Sequence, residues 1–278
     1  MTLSELFHSL TSQLQELYSR QESESLIIWL FEEYLGKSRR DISNNIALDS
    51  LPIELENAFN ELLEGKPIQY VTGKAPFYGR EFLVNSSVLI PRNETEELVH
   101  LILKENKKSG IRILDIGTGS GCIPITLALE ITGSEVFALD ISEEALSVAS
   151  QNAKSLDAKV VFQKCDFLNE EIPFKNLDII VSNPPYVRIS EKEMMHANVL
   201  KYEPHLALFV QDDDPLLFYR HIAQKCKNAL NPNGRLYFEI NEVLGSSTSD
   251  LLTDNGFKEI RILKDLNNRD RMVSAVLR

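Results

Sequence analysis

The 278-residue sequence has only three cysteines, Cys122, Cys165 and Cys226. They are too few and too scattered for a disulfide framework or a zinc cluster. Packed, reduced thiols are the expectation, as in a cytoplasmic protein. The five histidines show no metal-ligand spacing, and His196 and His205 are not one helical turn apart, so no metal is expected. No apolar run approaches the ~20 residues that cross a bilayer. Met1-Thr2-Leu3-Ser4-Glu5 lacks a basic segment followed by an apolar core. We therefore expect no export signal, a cytoplasmic location and no membrane partner. Basic charge is scarce too: 29 Lys and Arg stand against 41 Asp and Glu, a net charge of -12. That balance argues against broad electrostatic binding of nucleic acid, whose phosphates need Lys and Arg, though a local basic patch is compatible with it. The chain carries no internal repeat and no low-complexity tract.

The 43% apolar content is that of an ordinary globular protein. The length suits one large or two unequal domains. Residues 1–75 read as helical throughout: Leu6, Leu10, Leu14 and Leu17 recur at helical spacing, as do Leu26, Leu30 and Tyr34. A third helix is expected from Pro52 to Leu63, ended by Gly65. This stretch is expected to be a lid or substrate-docking domain, with a structural appendage as the alternative. Residues 76–92 read as a β-hairpin connector, with strands at Phe77–Val84 and Val88–Ile90 around Asn85-Ser86-Ser87. Glu94 to Glu97 open a helix that runs to about Lys104, with its acids near the positive end of the helix dipole.

From Ile111 onward, strand and helix patterns alternate. Strands are expected at 111–116, 135–139, 159–163, 177–182, 235–240, 260–263 and 272–277. Helices are expected at 123–130, 142–153 and 215–230, the last stopped by Asn231-Pro232-Asn233-Gly234. Such alternation predicts a mostly parallel sheet covered by helices on both faces, an α/β domain over residues 93–278.

Asn183-Pro184-Pro185-Tyr186 follows the apolar strand 177–182. Two consecutive prolines cannot donate to a sheet, so the chain leaves it in a stiff, extended conformation. One amide side chain, one proline carbonyl and one aromatic ring are thereby placed at a strand's C-terminal edge, where ligands bind in open α/β sheets. The Asn183 side-chain oxygen and the Pro184 carbonyl can both accept from a planar NH2 group. The expected task of the tetrapeptide is to grip the amino group of an amide or a base.

Asp115-Ile116-Gly117-Thr118-Gly119-Ser120-Gly121 lies between the first strand of the α/β region and its helix. Its glycines allow a tight turn and a close approach to a ligand. A dinucleotide fingerprint would want Gly or Ala where Cys122 stands, which disfavours a nicotinamide oxidoreductase. Asp140 ends the next strand, where a carboxylate can accept from both hydroxyls of a ribose. Asp166-Phe167 follows the third, its acid suited to an adenine amino group and its ring to the base face. Either acid alone could be a turn or cap residue. Together, after a glycine loop, they favour an adenosine site.

These residues resemble class I S-adenosylmethionine-dependent methyltransferases that act on planar NH2 groups. Asn-Pro-Pro-Tyr is shared by adenine-amine, guanine-amine and protein-glutamine methyltransferases, so it points to the reaction more than to the substrate. Leu89-Ile90-Pro91-Arg92-Asn93-Glu94-Thr95-Glu96 resembles the Ile-Pro-Arg-Pro-Asp-Thr-Glu connector of peptide chain release factor glutamine methyltransferases. Tyr202-Glu203-Pro204, Phe238-Glu239-Ile240 and Asp265-Leu266 with Arg269-Asp270-Arg271 are similar to later segments of that family. Asn93, Phe167 and Asn241 depart from its usual Pro, Trp and Gly.

The resemblance implies a Rossmann-like class I fold with a seven-stranded, mostly parallel sheet and a small all-α N-terminal domain. It implies S-adenosyl-L-methionine held by Gly117, Thr118, Gly119, Ser120, Gly121, Asp140, Asp166, Phe167 and Asn183. Substrate would meet Asn183, Pro184, Pro185 and Tyr186, with Asn183 and Pro184 carrying the catalysis. The implied substrate is the Gln of a Gly-Gly-Gln loop in translation release factors. The expected protein is a monomer with no stable nucleic acid partner. The alternatives are an amine methyltransferase of DNA or RNA and a non-catalytic S-adenosylmethionine-binding protein. Arg92 and Glu96, both in the family connector, either serve the site or, the preferred reading, form an ion pair between domains. Tyr202 and Glu203 either line the site or end a loop before Pro204.

Overall fold

The computed structural model describes residues 1–48 and 50–278; Asp49, inside the stretch read as helical, lies outside the described residues. The chain forms two compact units, Met1–Lys74 with His196–Tyr202, and Ala75–Met195 with Glu203–Arg278.

The first unit contains α1 (Leu3–Leu14), α2 (Arg20–Leu35), α3 (Arg39–Ser43), α4 (Ile53–Leu63) and α5 (Ile68–Thr72). Thr2 and Glu5 form a reciprocal capping box on α1, and Ser19 caps α2. Gly36 ends α2 in the left-handed conformation at φ 61°. Leu55, Ala58, Phe59 and Leu62 form one buried stripe along α4 and pack with Leu3, Leu6, Leu14, Ile27, Leu30 and Phe31. Leu17, read as part of the first helix, lies beyond its end and is exposed. The short helices α3 and α5 have too few apolar repeats to be seen as a period.

A hairpin, β1 (Lys74–Phe77) and β2 (Arg80–Leu83), opens the second unit from Ala75 onward. The turn falls at Tyr78-Gly79, not at Asn85-Ser86-Ser87. Both turn residues have positive φ, 49° and 72°, as a two-residue hairpin loop requires. Asn85 instead makes a local turn, its side chain accepting from the Ser87 N–H at 2.9 Å. Val88–Ile90 form no strand.

The next elements are α6 (Asn93–Glu105), β3 (Arg112–Ile116), α7 (Cys122–Glu130), β4 (Glu135–Asp140), α8 (Glu143–Ser155), β5 (Val160–Lys164) and β6 (Leu177–Ser182). After them come β7 (Val187–Arg188), a 3-10 turn (Ile189–Met194), α9 (Ala197–Tyr202), α10 (His205–Leu208) and β8 (Phe209–Val210). The chain finishes with α11 (Leu217–Cys226), β9 (Leu230–Glu239), α12 (Gly245–Asp254), β10 (Phe257–Lys264) and β11 (Asp270–Leu277). The α9 segment belongs to the first unit, where the Tyr202 hydroxyl donates to the Glu64 carbonyl at 3.0 Å.

Seven strands form one sheet in the order β10-β11-β9-β6-β3-β4-β5, parallel except for β11 against β9 and β10. Successive side chains point to opposite faces. Ile113, Ile179 and Val181 pack with α6 and α7, while Leu114, Ile180 and Leu236 pack with α11 and α12. The expected class, an α/β Rossmann-like sheet plus a small helical region, is the observed one.

The helix read as reaching Leu230 stops at Cys226. Leu230 already pairs with Leu177 in the sheet, and the next pair is Ile179 with Arg235. Asn231 to Gly234 are therefore an irregularity at the start of β9, held by Asn231 Nδ2 donating to Asp178 Oδ1 at 3.0 Å.

Candidate active site

The strand order reverses between β3 and β6: from β3 the chain moves outward through β4 and β5, then returns to β6 on the other side. A crevice at the strands' carboxyl ends is expected at such a switch point. Ile116 and Ser182, the last residues of the two strands, are paired, and the Ser182 hydroxyl donates to the Ile116 carbonyl at 2.6 Å. The glycine loop after β3 and the Asn-Pro-Pro-Tyr corner after β6 consequently start side by side. They border a cavity of ≈ 380 Å³ lined by residues of the second unit alone, within the size range of small-molecule sites.

Gly117, Gly119 and Gly121 all have positive φ, at 78°, 53° and 80°. A Cβ on Gly117 or Gly119 would meet no protein atom within 4 Å, and both residues line the cavity. At Gly121 a Cβ would sit 2.9 Å from Ile125 Cδ1 and 3.3 Å from Ala149 Cα. The first two glycines leave room for a ligand, and the third lets α7 pack on α8. The N–H groups of Gly117 and Thr118 donate to the Leu139 carbonyl at 2.9 and 3.0 Å, which anchors the loop to the end of β4.

Asp140 binds the loop directly. Its Oδ2 accepts from the Gly119 N–H at 2.8 Å and its Oδ1 from the Ser142 N–H at 3.0 Å. Burial raises its carboxyl above the ordinary range, and these backbone N–H groups pull it back down. Each oxygen keeps a second lone pair, enough for one ribose hydroxyl apiece. Asp166 caps its own turn, accepting from Leu168 N at 3.2 Å and Asn169 Nδ2 at 2.7 Å. Asp166 and Phe167 both line the cavity. Lys225 fixes the turn by donating to the carbonyls of Phe167, Leu168 and Glu170. Phe218, also on α11, lies 5.8 Å from the Phe167 ring and lines the same wall.

Thr118, Ser120, Asn183 and Pro185 line the cavity. Pro184 is buried, and Tyr186 turns away from the cavity to donate its hydroxyl to Glu239 Oε1 at 3.1 Å. Asn183 Nδ2 donates to Thr95 Oγ1 at 3.2 Å. Among the described residues no hydrogen bond engages Asn183 Oδ1 or the Pro184 carbonyl; Asn183 lines the cavity, whereas Pro184 does not.

One acid near the site, Asp115, is not singled out as a site residue by its sequence position. Asp115 is fully buried at the end of β3, and neither of its carboxylate oxygens has a hydrogen-bond partner of normal geometry among the described residues. Burial pushes its carboxyl up to about 7; the nearby Thr118 hydroxyl opposes the rise and Asp140 adds to it. A buried acceptor without a donor is unusual enough to require an explanation, and the cationic amino group of an amino-acid ligand would supply one. Arg92 pairs not with Glu96 but with buried Glu203, at 2.6 Å, while Glu96 accepts from the Tyr78 N–H at 2.7 Å. Glu203 also accepts from the Ile90 N–H at 3.3 Å. The pair thus ties the segment before α6 to Pro204, Leu206 and Ala207 on the opposite cavity wall. Glu203 and Tyr202 themselves do not line the cavity.

The open space over Gly117 and Gly119 and the two acceptors of Asp140 at the cavity, with the unpartnered Asp115 buried outside its lining, fit a nucleoside joined to an amino acid. A family model described as a methyltransferase domain matches residues 107–265. The release factor glutamine methyltransferase of Flavobacterium psychrophilum is 45% identical over 272 residues, covering 95% of each chain. Its counterpart from Bacteroides thetaiotaomicron is 47% identical over 266 residues, covering 94% of this chain and 95% of that one. A methyltransferase crystal structure from Pyrococcus furiosus superposes with a TM-score of 0.53 at 18% identity, over 80% of this chain and 98% of that one, a likeness of fold. With the site geometry and these relatives together, the chain belongs to the release factor glutamine methyltransferase family.

Proposed function

We propose that the protein uses S-adenosylmethionine to methylate the side-chain amide nitrogen of the glutamine in the Gly-Gly-Gln loop of translation release factors. The observation that carries this reading is the Asn183 side chain. Its nitrogen is tied back to Thr95, and its oxygen is left as an acceptor at the edge of the cavity beside the glycine loop.

An amide nitrogen is a poor nucleophile because its lone pair is delocalised into the carbonyl. The bound cofactor supplies a methyl group already activated on a sulfonium. The chain's task is to hold the amide so that its nitrogen faces that methyl. Asn183 Oδ1 and the Pro184 carbonyl take the two N–H bonds, and the stiff double-proline corner keeps those acceptors at a set separation. Orientation of this kind can supply several of the ~7–11 kcal/mol available from positioning.

Asp140 takes the ribose hydroxyls, Asp166 the adenine amino group, and Asp115 the ammonium of the methionine portion. Phe167 and Phe218 form an aromatic wall for the base. No strong base is required, since the nitrogen becomes acidic once methylated and releases its proton afterwards. Glu239 does not serve as one: it is fully buried and already accepts two hydroxyl protons.

The helical first unit is proposed to dock the release factor, and the protein to work as a cytoplasmic monomer. Among the described residues no helix is long and apolar enough to cross a membrane. The net charge of -12 favours a protein substrate over DNA or RNA. Incubation with isotopically labelled S-adenosylmethionine and a purified release factor, followed by peptide mass spectrometry, tests the reading. One labelled methyl on the Gly-Gly-Gln glutamine is expected. Label in nucleic acid with none in the release factor would overturn it.

A further inference from the structure

Four side chains from three places in the sequence meet at the Asn-Pro-Pro-Tyr corner. Thr95 sits in the first turn of α6, Glu239 ends β9, and Asn183 and Tyr186 flank the two prolines. Thr95 and Glu239 are both buried, at 3% and 0% exposure. The Thr95 hydroxyl donates to Glu239 Oε2 at 2.7 Å, Asn183 Nδ2 donates to Thr95 Oγ1 at 3.2 Å, and the Tyr186 hydroxyl donates to Glu239 Oε1 at 3.1 Å. Arg271 lies close enough to act on Glu239 and Tyr186 electrostatically.

The direction of every bond in this chain follows from its one carboxyl group, that of Glu239, which burial raises and the Thr95 and Tyr186 hydroxyls and Arg271 draw back toward the ionised form. A carboxylate only accepts. Thr95 has a single proton, and a carboxylate at 2.7 Å commits it. The Thr95 oxygen then has only lone pairs left for Asn183, so the NH2 end of the Asn183 amide must face it. An amide has two chemically different ends of nearly equal size, and packing alone barely distinguishes them. Here a charge one residue removed makes the choice and leaves the oxygen toward the cavity. The reversed amide would set oxygen against oxygen at Thr95 and present two donors to a substrate NH2 group that needs acceptors.

We infer that Thr95 and Glu239 are positioning residues for methyl transfer: they fix which way round the Asn183 amide points and so make its oxygen the substrate's acceptor. This rests on the function proposed above. Thr95 lines the cavity beside Asn183 and Glu239 does not; both act through the Asn183 amide, and Tyr186, held by the same carboxylate, is a brace of the corner.

The test compares Thr95→Val, Thr95→Ser and Glu239→Gln with the wild-type protein, using release factor as substrate. Thr95→Val removes the hydroxyl while keeping the shape. Its kcat is expected to fall about 100-fold, the scale of a misplaced reacting group, with the KM for S-adenosylmethionine unchanged. Thr95→Ser keeps the hydroxyl and is expected to recover most of that loss. A merely structural role for Thr95 would not separate kcat from cofactor KM, nor make Ser better than Val. Turnover of Thr95→Val within twofold of wild type, or Thr95→Ser no better than Thr95→Val, overturns the inference. Should Thr95→Val fail to fold, the isosteric Glu239→Gln decides: a large loss of kcat supports the inference, and turnover within twofold of wild type overturns it.

A substrate-free measurement separates this inference from the function on which it rests. If wild-type protein transfers no methyl to a release factor, the proposed function fails. Hydrogen exchange of the Asn183 side-chain NH2, followed by NMR in the 15N-labelled protein, still reads the bond to Thr95. Protection in the wild type that is lost in Thr95→Val is expected. Equal exchange in the two proteins overturns the inference on its own.

Discussion

The loop after β3 and the corner after β6 begin on paired residues, Ile116 and Ser182, yet they are built in different ways. The loop presents backbone and space: three glycines at positive φ, two of them with nothing above them, and one carboxylate from the neighbouring strand holding the turn. The corner presents one side chain whose orientation depends on residues 88 and 56 positions away. A backbone site of this kind tolerates changes around it as long as the turn survives. A site resting on one amide loses its function when any link behind that amide breaks. The difference follows from the ligands. A cofactor offers many contacts along its length, whereas a carboxamide NH2 offers only two protons.

The sharpest way to break this comparison is Asn183→Ala. Turnover is expected to fall at least ~1000-fold, about 4 kcal/mol of barrier, with cofactor affinity by calorimetry close to wild type because the loop is untouched. A parallel loss of cofactor binding would show that loop and corner form one site, not two.

The loop side is tested next through Asp115. Its folded carboxyl is raised to about 7 from an ordinary 3.8, chiefly by burial. Between those values the folded protein holds a proton that the unfolded chain has released, so stability falls as pH rises through the window. Asp115→Asn removes that slope. Without cofactor, the variant is expected to gain on wild type by roughly 3–4 kcal/mol between pH 4 and pH 8 in urea unfolding, about 1.4 kcal/mol per unit of pKa. The same stability difference at both pH values would mean the buried carboxyl does not titrate as described.

The smallest expected effects come from substitutions of the loop glycines, Gly121→Ala being the larger. The added Cβ would press on Ile125 and on the Ala149 backbone at a φ of +80°, which is expected to cost about 2–3 kcal/mol of stability. Gly119→Ala meets no protein atom, so it bears only the backbone strain and is expected to lose less by the same unfolding measurement. Equal losses would remove the distinction between a packing glycine and a ligand-facing one.

How much of this was legible in the sequence follows the same division. The strand 177–182 was readable to its ends because an apolar run closed by two prolines has one interpretation. The glycine loop, Asp140 and Asp166 were readable because each sits at a strand end that the alternation locates. Short-range signals failed where pairing partners set the outcome. Tyr78-Gly79 looks like strand until one sees that both residues adopt positive φ. Leu230 looks helical until its pairing with Leu177 is known. The links behind Asn183 were out of reach for a different reason. Thr95 in a helix and Glu239 in a strand carry no local sign that they share a proton, and only the closed sheet brings them within 2.7 Å. Arg92 illustrates the same limit, since its partner is not the nearby Glu96 but Glu203, 111 positions away.

The most direct measurement is a crystal structure with the demethylated cofactor and a Gly-Gly-Gln peptide bound. The glutamine NH2 is expected within hydrogen-bond reach, ~2.6–3.2 Å, of both Asn183 Oδ1 and the Pro184 carbonyl, with its nitrogen facing the cofactor sulfur. A complex in which the corner turns away from that sulfur, or in which the glutamine reaches neither oxygen, would contradict the account.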